Sequence, residues 1–568
     1  MKFGRILTVV LATFAAGCAV KPPSESGTGA PGDSRDIVVV STTDVHGRIR
    51  GWDYYADSAE TTRGLTRAAT IVDSVRAANP GRVILLDAGD LLQGNPFTFV
   101  AARVAPDTVN PVVAAMNVMH YDAAAIGNHE YNYGVPYLER AVAQARFPFL
   151  SANTYRPGGA HAFRPWTIVE RQGVKIGIIG ATTPGVMAWD ADNVRGRISL
   201  GDIVPAVRTA VEEVRAGGAN VIVVTLHSGF DEPASYDTVS TGLPSENVAA
   251  RVAREVRGID LVVYGHSHKE VREMKIGGTF VVLSQEVRRD MTGATLLMQP
   301  KNWATSVGVA HLHVVRTDGA WHVAESRGEL VQAAGHAEQM AVLAASDANH
   351  RRTVAYVNTA IGTTQVTWKS DSARLKDTPL IDFVLETERK AAGADLASAS
   401  AFSLDASINA GPVTVAELAR LQPYDNTLRA VKITGKQLRD YLEFSSRYYK
   451  SVEATPAGPI LVIDRQIPGY NFDIIAGADY TMDLTRPIGS RITSLTVKGK
   501  PVLDSDTFTM AVNNYRQTGG GGYTMLHGAP VVYDRQQEIR QLLIDEVRAR
   551  KTIRPEDYAT QNLSLIHI

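Results

Sequence analysis

The sequence holds a single cysteine, Cys18. No disulfide can form within the mature chain, so folding rests on packing or on metals. A charge bias is missing too: 58 Lys and Arg stand against 59 Asp and Glu, a net charge of −1. That balance gives no support to a nucleic-acid polymer as partner, or to a membrane surface bound by charge. Beyond the N-terminus no apolar run is long enough to span a bilayer. What remains is a chain of 568 residues, 45% hydrophobic. That is enough for about two to four cores.

The position of Cys18 is informative. Lys2 and Arg5 precede the apolar run Ile6–Ala16, and Gly17-Cys18 closes it. This is the shape of an export signal. Its end resembles a bacterial lipoprotein signal over residues 1–18, in which the cysteine is lipidated, although Ala15 stands where a larger aliphatic is usual. Two or more acyl chains on Cys18 hold a protein on a membrane. Residues 19–35 are rich in Pro, Ser and Gly and read as a flexible tether.

From Asp36 onward apolar runs alternate with segments of helical spacing. Ile37–Ser41, Val83–Asp87, Ala123–Ile126, Lys175–Gly180, Val221–Leu226 and Asp260–Tyr264 are predicted as buried strands. Arg67–Ala78, Val109–Met119, Tyr137–Ala145, Ile203–Ala216 and Glu246–Val256 are predicted as helices between them. The alternation predicts an α/β domain over 36–324 with helices packed on its sheets. Phe280–Ser284 and Val307–Arg316 have the look of antiparallel strands that finish those sheets. An Ala-, Gln- and Glu-rich stretch, 325–354, is predicted as a helical connector. A second α/β unit follows over 355–560, with helices Thr378–Ala391, Thr434–Ser446 and Gln536–Ala549 and strands Thr427–Ile433 and Arg491–Val497. Residues 561–568 carry no usable pattern and are set apart as a tail, their place in the fold left open by the sequence.

The strand ends carry the chemistry. Asp44 and His46 follow the first strand, Asp90 the second, Asn128 and His129 the third. His227 ends a fourth, and His266 and His268 follow a fifth. Taken singly, Asp-x-His or Gly-Asn is an ordinary solvated turn. Five turns ending in ligand-type side chains are a different matter, because sites in open α/β sheets lie beyond the carboxyl ends of the strands. The set mixes imidazole and oxygen without thiolate, which suits Zn, Mn or Fe. Asp90 is the natural bridge between two divalent ions. Asp44, His46 and His268 complete one set, and Asn128, His227 and His266 the other. Two such ions about 3.5–4 Å apart clamp a phosphoryl oxygen and bring the pKa of a bound water toward ~7. His129, beside a ligand, is placed to stabilise phosphoryl charge and give a proton to the leaving oxygen.

D-x-H, G-D, G-N-H-E, H and G-H-S-H in this order resemble the calcineurin-like metallophosphoesterases. Over the mature chain the sequence is similar to the secreted 5′-nucleotidase family. The resemblance implies an N-terminal four-layer β-sandwich flanked by helices, carrying two metals. It implies a C-terminal α/β substrate domain joined to it by a helix. The family includes bifunctional 2′,3′-cyclic-nucleotide 2′-phosphodiesterase/3′-nucleotidases, and its metal ligands match the residues named above. The 5′-nucleotidase branch has Asp three residues after the catalytic His, where this chain has Asn132. A neutral Asn still holds an imidazole but stabilises its charged form less. The cyclic-phosphodiesterase branch is the better match there, at Trp52-Asp53-Tyr54-Tyr55 and at Tyr470-Asn471-Phe472-Asp473.

In the second domain the resemblance implies that Tyr424 and Tyr515 sandwich the nucleobase. Asn426 is placed to bond its edge, and Gly519 and Gly520 to let backbone approach the ligand. Gly521 stands where 5′-nucleotidases often carry Asp, and only Arg374 offers itself for their substrate-binding arginines. The expected function is an exported dimetal nucleotide phosphohydrolase, acting on 2′,3′-cyclic nucleotides or nucleoside monophosphates. The alternatives are a strict 5′-nucleotidase or nucleotide-sugar hydrolase, and a lipid-anchored nucleotide-binding protein without turnover. A full ligand set argues against the last.

Overall fold

The computed structural model describes residues 33–566, apart from 235, 237, 278–279, 284–293, 425 and 456–457. Cys18 and most of the expected tether lie outside the described residues.

Two sheets face each other in the first domain. One has six strands, in the order Ala320–Gln332, Ser306–Thr317, Ser34–Thr42, Val83–Asp87, Ala123–Ala125, Phe149–Leu150. The other has seven, in the order Phe280–Leu283, Val271–Gly277, Thr295–Gln299, Leu261–Tyr264, Val221–His227, Val174–Thr182, Trp166–Arg171. Their inner strands are parallel, which is why they read as unbroken apolar runs: both faces are covered. Ile37, Val39, Ile84 and Leu86 of the first sheet pack against Ile176, Ile178, Val221 and Val223 of the second. Val38, Val40 and Leu85 point the other way, onto helices Leu65–Ala78, Pro111–Met119 and Val135–Gln144. Ile222, Val224 and Val262 meet helices Ile203–Ala216 and Ala249–Glu255. The domain is therefore a four-layer α/β sandwich, as the resemblance implied.

The second domain centres on a five-stranded sheet, Asp473–Ala476, Leu396–Ser400, Thr507–Asn513, Thr427–Thr434, Val531–Glu538. Helices Pro379–Ala392 and Gly435–Ser446 cover it. Helix Gly435–Ser446 begins with Thr434 capping Gln437 N–H while Gln437 returns the bond, which sharpens its start.

One expectation fails. The stretch from Glu325 is strand as far as Gln332, and the helix is Met340–Val357. The run Ala320–Gln332 finds a ladder partner in Ser306–Thr317, with Trp321, Val323 and Leu330 on the core. That pairing, a hairpin turned at Asp318-Gly319, overrides a helix-like composition. At the other end, Leu563–Ile566 adds a strand parallel to Asp479–Asp483 and packs Leu563 and Leu565 inward. An open sheet edge recruits those residues, so 563–566 belong to the fold.

Candidate metal centre

The first domain's ligand candidates share one edge of the two sheets. Backbone geometry turns them toward each other: Asp44, His46, Asp90, His266 and His268 have φ of 48°, 47°, 63°, 77° and 54°. This left-handed region is unfavourable for residues other than glycine, and its concentration at one spot marks a functional constraint. Gly127 has no room for a side chain, because a Cβ there would sit 2.2 Å from Asp90 Oδ1.

Hydrogen bonds set the face each imidazole presents. His46 Nδ1 donates to Gln93 O at 2.8 Å and His227 Nδ1 to Ala88 O at 2.8 Å. Each is left with Nε2 free for a metal. His266 is turned the other way, with Nε2 at 2.8 Å from Glu246 Oε1, which leaves Nδ1. Asp90 Oδ2 lies 3.1 Å from His227 Nε2, 3.7 Å from His46 Nε2 and 4.0 Å from His129 Nε2. His268 Nε2 lies 3.3 Å from Asp44 Oδ1 and 3.1 Å from His46 Nε2. Asn128 Oδ1 lies 3.0 Å from His227 Nε2. The donor atoms of Asp44, His46 and His268 converge within 4.8 Å, as do those of Asp90, His227 and His266. Buried and half-buried donors gathered this closely fit divalent cations, and the mixed nitrogen and oxygen set fits Zn, Mn or Fe.

The metal-free charges agree. Burial drives His46 down to about 3, which keeps it neutral and ready to ligate. Burial opposes charge on His227 as well, but Asp90, Asp44 and Glu130 outweigh it and raise that group to about 10. A cation held by His227 would displace this proton.

Glu130, the E of G-N-H-E, ties the loops together. Its carboxylate accepts N–H bonds from Asp90 (2.9 Å), Leu91 (2.5 Å), Leu92 (3.0 Å) and Gly127 (2.6 Å). Neither Glu130 nor Glu246 was singled out by sequence. Glu130 sat inside the motif, whereas Glu246 had no local signal.

His129 is absent from the Asp44 and His227 groups but converges with His46 and Asp90 in a third. Its Nδ1 meets Asn132 Oδ1 at 2.6 Å, and Asn132 Nδ2 donates to Asp190 Oδ1 at 2.9 Å. Trp189 stacks on His266 with ring centroids 5.6 Å apart.

A cleft of about 400 Å³ runs from these loops into the second domain. Asp90, Asn128, His129, Asn132, His266 and His268 line one end, and Tyr424, Asn426 and Tyr515 the other. Phe402 and Tyr470 also line it, Phe402 edge-on to Tyr424 with centroids 5.3 Å apart. Gly519 and Gly520 are not among the lining residues. Gly520 lies behind the Tyr515 ring, where a Cβ would be 2.6 Å from Cδ1, and Gly521 N–H donates to the Tyr515 hydroxyl at 3.1 Å. The glycine run supports the aromatic wall from outside the cleft, because only a loop without side chains fits against that ring. Arg374 also lies off the cleft lining, with its guanidinium on Ala401 O (2.8 Å) and the Tyr448 hydroxyl (3.3 Å).

Two packed sheets whose loops present carboxylate, amide and imidazole donors at one edge define a metal-dependent phosphoric ester hydrolase. The family model for the calcineurin-like phosphoesterases matches residues 37–270, and that for the 5′-nucleotidase C-terminal domain matches residues 360–528. The chain belongs to the 5′-nucleotidase family, which couples these two domains. A 2′,3′-cyclic-nucleotide 2′-phosphodiesterase/3′-nucleotidase of Haemophilus influenzae is 32% identical, covering 90% of this chain and 84% of that protein. The trifunctional nucleotide phosphoesterase protein YfkN of Bacillus subtilis is 30% identical over 92% of this chain, which spans only 38% of that protein's length. Among solved structures, a Staphylococcus aureus protein with alpha-ketoglutarate bound shares the fold, with a TM-score of 0.76 at 24% identity, covering 94% of this chain and 100% of that one.

Proposed function

We propose that this protein is an exported nucleotide phosphohydrolase that opens 2′,3′-cyclic nucleotides and removes phosphate from nucleoside monophosphates, 3′-nucleotides first. The observation that carries the reading is the cleft itself, with metal-ligand candidates at one end and Tyr424 and Tyr515 at the other. Asn132 beside His129, and relatives named for the cyclic and 3′ activities, support the preference.

Asp44, His46, Asp90 and His268 would hold one divalent ion, and Asp90, Asn128, His227 and His266 the second. Bound there, the ions supply Lewis acidity and a water nucleophilic at neutral pH. The chain's own residues do the rest. Tyr424 and Tyr515 stack the base, Asn426 bonds its edge, and the phosphoryl group is left at the ligand cluster. In the cyclic diester, water oxygen bonds to phosphorus and the bond to O2′ breaks. His129 gives its Nε2 proton to that leaving oxygen, and Asn132 Oδ1 keeps the Nδ1 proton in place. The 3′-monoester left behind is hydrolysed on the same plan, with O3′ as leaving atom. The first domain, whose sheet extends to Gln332, and the second domain, which follows Val357, work as separate bodies about the connector helix Met340–Val357, closing on substrate and opening for product.

A substrate panel tests the reading. Phosphate release from 2′,3′-cyclic, 3′- and 5′-nucleotides is measured in chelated and metal-reloaded protein. Cyclic and 3′-substrates are expected to lead after reloading; 5′-nucleotides leading would favour the strict 5′-nucleotidase. For the anchor, Cys18→Ser is expected to move the protein from the membrane fraction to a soluble exported form. Equal retention in both would rule lipidation out. Among the described residues no helix is long and apolar enough to cross a membrane.

A further inference from the structure

The hydrogen-bond chain behind His129 passes through Asn132 and ends 58 positions beyond that residue, at Asp190. Asp190 is 7% exposed and lies between the short helices Val186–Trp189 and Ala191–Val194. Its Oδ1 accepts from Asn132 Nδ2 at 2.9 Å and from Asn193 Nδ2 at 3.1 Å. Asn193 Nδ2 also reaches Asn132 O at 3.2 Å, so backbone and side chain of Asn132 are held together.

An amide side chain has two faces, one that accepts and one that donates. Alone, Asn132 could present either to His129. A carboxylate only accepts, so the Asn132 NH2 must face Asp190 and its Oδ1 must face His129. His129 Nδ1 therefore carries a hydrogen and Nε2 is the atom turned to the cleft. When His129 gives up its Nε2 proton, the tautomer left is the one Asn132 already bonds. With the amide reversed, two N–H groups would confront each other across 2.6 Å.

We propose that Asp190 is a positioning residue for His129, acting through Asn132. It sets the amide's direction and supplies, one residue removed, the negative charge that an aspartate at position 132 would bring directly. The inference rests on His129 being the proton donor.

The test is a charge transposition, read with a nucleoside 3′-monophosphate on the metal-loaded full chain. Asp190→Asn is expected to lower kcat about 10–100-fold, with KM within about threefold and the metal content of the wild type. Moving the carboxylate inward, in the double variant Asn132→Asp with Asp190→Asn, is expected to restore kcat to within about threefold of the wild type. A wild-type kcat in Asp190→Asn overturns the proposal, as does a double variant no faster than Asp190→Asn, or a kcat loss that tracks lost metal. Should thermal melting show that Asp190→Asn does not fold, the double variant decides alone: near-wild-type kcat supports the proposal and a tenfold loss overturns it. His129→Ala separates the two readings. If it keeps full kcat, His129 is not the donor; if it is slow while Asp190→Asn is not, only the role of Asp190 falls.

Discussion

Arg429 and Asp192 join the two domains at the lip of the cleft. The arginine lies on the strand Thr427–Thr434 and the aspartate in the turn Ala191–Val194, and guanidinium meets carboxylate directly. Arg429 also keeps partners in its own domain, Gln517 Oε1 at 2.7 Å and Asp534 Oδ2 at 3.4 Å. Opening the cleft would therefore cost Asp192 its partner and leave Arg429 partly paired. Tyr55 OH to Pro423 O (3.1 Å) and Asn514 Nδ2 to Trp189 O (3.4 Å) span the same interface.

Breaking that pair is expected to favour the open arrangement. Asp192→Asn should raise KM for nucleotides by about three- to tenfold, for a loss near 1 kcal/mol, and increase the radius of gyration in solution scattering. In a double-mutant cycle with Arg429→Gln the effects should be non-additive. Additive effects, or unchanged scattering, would assign closure to the other contacts.

The aromatic wall is expected to act on the base alone. Replacing Tyr424 and Tyr515 with Ala removes about 1–3 kcal/mol of stacking, so KM for nucleotides should rise roughly 5–150-fold. A small aryl phosphate, which has no base, should lose far less. Equal losses on both substrates would mean that the tyrosines support the fold and that the two-domain binding scheme is wrong.

Among the described residues, Asp90 is the one carboxylate within reach of three imidazoles. Asp90→Asn is expected to leave fewer than two ions per chain after reloading and to cut turnover by more than about 100-fold. Metal analysis that still finds two ions, with normal turnover, would remove its bridging role.

Asp382 predicts a pH effect far from the site. It is 1% exposed, on helix Pro379–Ala392, and accepts one bond from Thr560 N–H at 2.9 Å. Burial, with Asp377 adding to it, pushes its carboxyl from 3.8 to about 7. The folded state thus holds a proton there that the unfolded chain releases. Its stabilising contribution is complete below pH ~4 and is lost as pH rises through ~7. The melting temperature of the wild type should fall between pH 5 and 7.5 by more than that of Asp382→Asn, whose amide stays neutral throughout. Parallel curves for the two proteins would show that Asp382 does not titrate in this window.

Much of this protein could be read from contiguous residues. The helix Ile203–Ala216 has the bounds its spacing predicts, because one face repeats apolar residues and Asp202 caps its start. The inner strands were legible because burial on both faces leaves unbroken apolar runs. The ligand candidates were legible because each is written within a few residues of a strand's end, and the strands are parallel, so their ends fall on one edge. Most of what the sequence did not reveal depends on partners far along the chain. Leu563–Ile566 is a strand because Asp479–Asp483 offers an edge; Ala320–Gln332, by contrast, is the return arm of a hairpin turned at Asp318-Gly319, a local signal masked by the helix-like composition that follows it. Gly520 belongs to a run whose sequence suggests a ligand loop, but it lies against the Tyr515 ring, a contact set by how the loop folds back. Glu246 on His266 and Asp190 on Asn132 are single side chains brought in by how the loops pack, and no local pattern marks them. Periodicity and strand-end chemistry are properties of neighbours in sequence, so the sequence alone determined the layers and the ligand types. The direction of each imidazole is decided by a hydrogen-bond partner from another loop, and only the tertiary structure could choose it.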